Sequence, residues 1–241
     1  LTDLSCSNFS FSVPLNQRIQ VMHIVSEEKS IKGVNRVILR EYGQLFITQG
    51  LEESLRIEGQ DSLARMVRTE VRNGELLIDI DGGWWDKTWR AFTSTVEGKP
   101  LKFYLTVKKL EGLFVTGAAR VKAEGLQVEN FQLILKGAGE VMLPNIQAKR
   151  LDIEMPGAGV ISISGKATEQ NVFLKGAGSY DAPRLETEKT HVKLQGVGQA
   201  TVWATRELNA VVEGVGNIEY YGSPEVSKSV SGLGKISSKG H

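Results

Sequence analysis

From Leu133 onward the chain carries runs in which apolar residues occupy every second position, and each run is interrupted at its middle by glycine. Leu133, Leu135, Val141 and Leu143 flank Gly137-Ala138-Gly139; Ile153, Met155, Ile161 and Ile163 flank Gly157-Ala158-Gly159; Val172, Leu174, Tyr180 and Ala182 flank Gly176-Ala177-Gly178. The same offsets set Val192, Leu194, Ala200 and Val202 about Gly196-Val197-Gly198, and Ala210, Val212, Ile218 and Tyr220 about Gly214-Val215-Gly216. Every offset is even, so the apolar residues and both glycines share the two-residue period of a β-strand rather than the 3.6 of a helix. The other parity carries Lys136, Glu140, Asp152, Glu154, Lys175, Lys193, Gln195 and Glu219. One dry face and one wet face are expected.

Gly117-Ala118-Ala119 and Gly232-Leu233-Gly234 extend the series, and successive first glycines stand 20, 20, 19, 20, 18 and 18 residues apart. A period near 20 indicates a solenoid, each repeat burying its apolar face against its neighbours. The alternating runs are longer than the usual strand of about five or six residues, so two short strands are predicted to meet at a glycine corner. The corner residues are Gly137, Gly139, Gly157, Gly159, Gly176, Gly178, Gly196, Gly198, Gly214, Gly216, Gly232 and Gly234, whose missing side chain would keep the inside of the bend clear. Polar residues 144–150 and 164–170 read as return turns. The predicted fold is all-β, a right-handed parallel β-helix-like solenoid with coils of about 18–20 residues. A leucine-rich horseshoe would need a fixed asparagine column, and an antiparallel sandwich would need hairpin signals between strands. The one clear hairpin signal, Asn73-Gly74, lies outside the repeats.

The first half also alternates, through Val37 to Arg40, Leu45 to Thr48, Ser54 to Ile57, Glu75 to Asp79 and Leu101 to Val107. Asp61 and Ser62 read as caps of a short helix over Leu63 to Val71, because Leu63, Met66, Val67 and Val71 recur at helical spacing. Residues 1–110 are expected to form an N-terminal β-rich cap region continuous with the solenoid, and residues 111–241 the repeat coils of one elongated domain. The segment after Tyr220 would cover the other end. A coil edge left uncovered invites pairing with a second copy.

Composition narrows the function classes. Lys plus Arg number 29 and Asp plus Glu 28, with no basic stripe, so a nucleic-acid partner is not expected. No apolar stretch approaches the roughly 20 residues of a membrane-spanning helix. A signal segment is not visible, and the chain opens on Leu1. Cys6 is the single cysteine, which excludes an internal disulfide; Leu4-Ser5-Cys6 only faintly echoes a lipid-attachment box.

Little catalytic chemistry is legible. His23, His191 and His241 match no metal-ligand spacing, and no glycine tripeptide extends to a phosphate-binding loop. Asp79 and Asp81 are the close aspartate pair, flanking Ile80. No metal and no cofactor is expected. The conspicuous insert is Gly82 to Phe92, where Trp84, Trp85 and Trp89 stand with Asp86, Lys87 and Arg90. Indole faces beside hydrogen-bonding charges suit a sugar ring or a protein partner, and tryptophans in a long loop also serve to plug a core end. Trp84, Trp85, Asp86, Trp89 and Arg90 are the candidate ligand-binding residues.

The units Leu135-Lys136-Gly137-Ala138-Gly139, Leu174-Lys175-Gly176-Ala177-Gly178 and Val212-Glu213-Gly214-Val215-Gly216-Asn217-Ile218 resemble the head GIN domain family of putative autotransporter-type adhesins. The lead-in Val37 to Asp81 and the transition Leu113-Phe114-Val115-Thr116-Gly117-Ala118 look like that family too. The resemblance implies a β-helix-like bacterial protein of Bacteroidetes type, exported to the periplasm or cell surface, and brings no catalytic motif. The expected role is therefore a non-enzymatic adhesin that binds glycan or an extracellular protein through its solenoid faces or the tryptophan insert. A pectin-cleaving β-helix enzyme and a self-assembling structural protein are the alternatives.

Overall fold

The computed structural model describes residues 24–40, 42–80 and 100–240. They form strands β1 (Ile24–Lys29), β2 (Arg36–Leu39), β3 (Gly43–Gln49), β4 (Ser54–Gln60), β5 (Val67–Arg72), β6 (Glu75–Ile80), β7 (Lys102–Val107), β8 (Gly112–Val115) and β9 (Ala118–Ala123). There follow β10 (Gln127–Leu135), β11 (Ala138–Met155), β12 (Ala158–Leu174), β13 (Ala177–Leu194), β14 (Val197–Val212), β15 (Val215–Tyr221), β16 (Glu225–Val230) and β17 (Leu233–Ser238). A single helical turn, α1 (Asp61–Ala64), separates β4 from β5.

From β8 onward each strand pairs in parallel with its counterpart one coil later, which makes the chain a β-solenoid. The glycines fall in register, Gly139 against Gly159, Gly159 against Gly178, Gly178 against Gly198, Gly198 against Gly216 and Gly216 against Gly234. Alternation then stacks apolar side chains into columns, and Leu135, Met155, Leu194 and Val212 are all wholly buried.

The glycines serve a purpose other than clearing the inside of a bend. A Cβ added to Gly157 would lie 2.1 Å from the carbonyl oxygen of Gly137, and one added to Gly176 would lie 1.7 Å from that of Gly157. Each would strike the backbone of the preceding coil, which approaches too closely for any side chain. Gly43 joins the same column against Ala119.

The expected return turns are strands. Ile146, Gln147 and Ala148 pair with Gly165, Lys166 and Ala167, so each long strand crosses the supposed turn without losing its ladder. The ladder of β11 falls into three stretches, residues 138–143, 146–148 and 150–155, with a register shift between Leu143 and Ile146 where Asn145 takes φ 59°. The coil is thus three-sided. Polar residues form strand here because the neighbouring coil, about 4.8 Å away, offers every backbone N–H and C=O a partner whatever the side chain.

The helix is also shorter than its apolar spacing suggests. It ends at Ala64, and Val67–Arg72 is strand β5, paired antiparallel with β6 across a turn in which Asn73 (φ 51°) and Gly74 (φ 82°) both take the left-handed conformation. The Asn-Gly hairpin signal and the β-branched Val67, Thr69 and Val71 outweigh a helical periodicity that was coincidental. Neither Asp61 nor Ser62 caps the turn: Gln60 occupies the cap position without a side-chain bond, and Asp61 instead accepts a 2.7 Å hydrogen bond from Arg65 Nε.

Spatial order departs from chain order at the N-terminal end. The coil β2–β3 lies between β6–β7 on one side and β8–β9 on the other. Beyond β6–β7 the pairing turns antiparallel, through β4 on β7, β1 on β4 and β5 on β6. At the other end, β16 and β17 continue the parallel pairing on β14 and β15 as one more coil.

Within the core a polar group replaces the apolar column. Gln170, registered between Leu151 and Thr190, is fully buried. Its Nε2 donates to Thr187 Oγ1 (3.2 Å) and Thr190 Oγ1 (3.0 Å), and its Oε1 accepts from the Tyr180 hydroxyl (2.8 Å). Burial pushes the Tyr180 phenol far above its usual range.

Candidate functional site

The third side of the coil carries a polar column. Gln132, Asp152, Asn171, His191, Asn209 and Ser227 are successive register partners, one per coil. A second column beside it runs Phe114, Ile134, Glu154, Phe173, Lys193 and Val211, all half-buried, and a third runs Asn130, Arg150, Glu169, Lys189, Glu207 and Glu225. Strand alternation turns all three columns to the outer face, while Leu133, Ile153, Val172, Val192 and Ala210 between them face the core.

The polar groups hold one another. Arg150 Nε donates to both oxygens of Asp152 (3.0 and 3.2 Å), and its Nη1 reaches Glu169 Oε1 at 3.2 Å. Asn171 Nδ2 donates to Asp152 Oδ1 (2.9 Å) and to Glu169 Oε1 (3.2 Å). Burial raises the Asp152 carboxyl, but the bonds from Arg150 and Asn171 and the Arg150 charge outweigh it, so the group sits below its usual range. The His191 ring lies 5.5 Å from that of Phe173, and burial, with Lys193 nearby, holds its pKa below the usual value. Lys189 pairs with Glu207 and Lys193 with Glu213, both at 2.8 Å.

Two grooves open along this face. One of about 750 Å³ is lined by Arg36, Gln49, Glu129, Asn130, Gln132 and Asp152 among others. Another of about 470 Å³ includes Asn171, Lys189, His191, Asn209 and Ser227. At the N-terminal end the first side adds an aromatic stack, with Phe46 and Tyr104 rings 5.2 Å apart and the Arg56 guanidinium 4.4 Å from the Tyr104 ring centre.

The residues singled out in sequence are distributed unevenly. Trp84, Trp85, Asp86, Trp89 and Arg90 lie outside the described residues, as do Cys6, His23, Asp81 and His241. Strand β6 ends at Ile80 and β7 begins at Lys102, and the insert lies between them in the chain. Asp79 lies 3.8 Å from Arg40. Among the described residues no cluster of His, Cys, Asp and Glu could hold a metal ion. The polar column escaped the sequence reading, although its signal is simple: each member stands five residues before the first glycine of a tripeptide.

A family profile described as putative auto-transporter adhesin, head GIN domain, matches residues 34–224. The chain belongs to this family. Among solved structures, the head GIN domain resembles a putative adhesin from Bacteroides fragilis, 27% identical, with a TM-score of 0.82 over 90% of this chain and 97% of that one. A putative adhesin from Parabacteroides distasonis is 20% identical, with a TM-score of 0.67 over 90% and 97% of the two chains, and shares the fold. A search of curated proteins returns no match. No helix among the described residues of this head GIN domain is long and apolar enough to cross a membrane.

Proposed function

We propose that this head GIN domain is a non-enzymatic, extracytoplasmic adhesin that binds an extended glycan along the third side of its solenoid. One observation carries the reading: amide, carboxylate, imidazole and hydroxyl groups recur once per coil from Gln132 to Ser227, beside the half-buried rings of Phe114 and Phe173. Such groups pair with sugar hydroxyls, and an aromatic face covers the apolar face of a pyranose. A surface that repeats every 4.8 Å or so meets a ligand that also repeats. The adhesin description of the family and the likeness to a putative adhesin from Bacteroides fragilis support a role in attachment.

The tryptophan insert is the second surface, because its sequence sets Trp84, Trp85 and Trp89 beside Asp86 and Arg90. A glycan array separates the two. His191→Ala with Asn209→Ala is expected to lower binding about tenfold or more, and Trp85→Ala with Trp89→Ala less. Unchanged binding in the first pair removes the face from the reading; unchanged binding in the second removes the insert.

A further inference from the structure

The middle residue of each glycine tripeptide forms a line of its own. Ala118, Ala138, Ala158, Ala177, Val197, Val215 and Leu233 are successive register partners, and all are exposed. Side chains grow toward the C-terminal end, where Val197 is 59%, Val215 47% and Leu233 76% exposed. Among the described residues the large apolar side chains left exposed are Ile24, Leu51, Val160, Val197, Val215, Val230 and Leu233, and all but the first two lie on or beside this corner. The fold explains the glycines, which the preceding coil forces, but not the apolar residue between them, which points away from the protein and could be polar at no cost to packing.

We propose that this crest is a membrane-contact edge that inserts into the headgroup region of an anionic lipid bilayer. Three observations favour a bilayer over a protein. The crest is one residue wide, whereas a stable protein interface draws on roughly 20 to 30 residues a side. Six of its seven backbone donors are already used: the N–H groups of Ala138, Ala158, Ala177, Val197, Val215 and Leu233 each donate to a glycine carbonyl one coil back, at 2.9 to 3.2 Å. Insertion of these six residues therefore strands none of their N–H groups, as an apolar medium requires. The flanking rows carry Arg120, Lys136, Lys175 and Lys235 against Glu140 and Glu213; Arg120 holds Glu140 at 2.7 Å, Lys193 holds Glu213 at 2.8 Å and Glu154 holds Lys175 at 3.3 Å, which leaves Lys136 and Lys235 as the rim cations. The rim is left with net positive charge facing the same way as the apolar crest, the arrangement of interfacial membrane binders.

Co-sedimentation of the full chain with phosphatidylcholine vesicles, with and without phosphatidylglycerol, tests this. The wild type is expected to sediment with the anionic vesicles and to be released by salt. Val197→Ser, Val215→Ser and Leu233→Ser together are expected to lower partitioning at least tenfold, and Lys136→Gln with Lys235→Gln about tenfold on anionic vesicles alone. Ala158→Leu with Ala177→Leu should raise it severalfold, with an unchanged unfolding midpoint and no sedimentation when vesicles are left out. A wild type that stays in solution with both vesicle types, or a triple serine variant that sediments like the wild type, overturns the proposal. So does a triple variant whose only change, by sedimentation velocity, is loss of a dimer. Glycan binding by the same variants reads the third side independently.

Discussion

The Cβ that Gly159 lacks would fall 2.0 Å from the carbonyl oxygen of Gly139, its partner one coil back. The clash is with backbone, which cannot swing aside, and Gly159 itself sits at φ 148°, where side chains are strained. Gly159→Ala is therefore expected to cost about 3 kcal/mol or more, visible as a lowered midpoint in denaturant unfolding. Ala158→Ser, one residue away and exposed, should stay within about 0.5 kcal/mol of the wild type. Equal losses in the two variants would show that the corner tolerates a side chain.

Tyr180→Phe removes the donor to Gln170 Oε1 and leaves a buried acceptor without its partner. The expected cost is about 1–3 kcal/mol. In a double-mutant cycle with Gln170→Met, the loss should be clearly less than the sum of the single losses, because the two side chains share one network. Additive losses would mean that the hydroxyl bonds elsewhere.

His191 has its pKa lowered by burial and, to a lesser extent, by Lys193. Folding then favours the neutral ring, so the unfolded chain binds more protons in the window below its ordinary value of about 6.5. Stability contributed by this group is full above that pH and is lost as pH falls through the folded value. His191→Gln should flatten the fall in unfolding midpoint between about pH 7 and pH 5. An unaltered slope would assign the pH dependence to other groups.

Asp152 is held below its usual carboxylate range by Arg150 and Asn171 against the effect of burial. Its contribution is present above about pH 4 and is lost as the carboxyl protonates below that. In Arg150→Ala, a carboxyl titration followed by NMR should show the Asp152 pKa rise, while stability changes by about 1 kcal/mol or less because the pair is solvent-accessible. A stationary Asp152 pKa would assign its depression to Asn171 alone.

The even spacing of Leu, Ile and Val about each glycine tripeptide was sufficient to name a stacked β-coil, because a coil can bury its apolar face only against another of the same period. The polar column was equally present in the sequence, five residues before each first glycine from Gly137 onward, but a polar residue on an outward parity does not say whether it faces open water or a groove. The stretch around Ile146 to Arg150 was misread for a related reason: polarity reports exposure, and in a solenoid an exposed segment still has a backbone partner on the next coil. Leu63 to Val71 was misread because its helical spacing is also compatible with a turn followed by a strand, and only the Asn73-Gly74 hairpin chose between them.

By itself the sequence determined the period, the dry and wet parities and the places of the glycine tripeptides, since these are patterns repeated along the chain. The tertiary structure alone decided that the β2–β3 coil lies inside β6–β7, that Gln170 and Tyr180 meet in the core, and that Val197, Val215 and Leu233 share one open edge. Those relationships depend on which distant segments become neighbours, and a pattern read along one dimension carries no record of that choice.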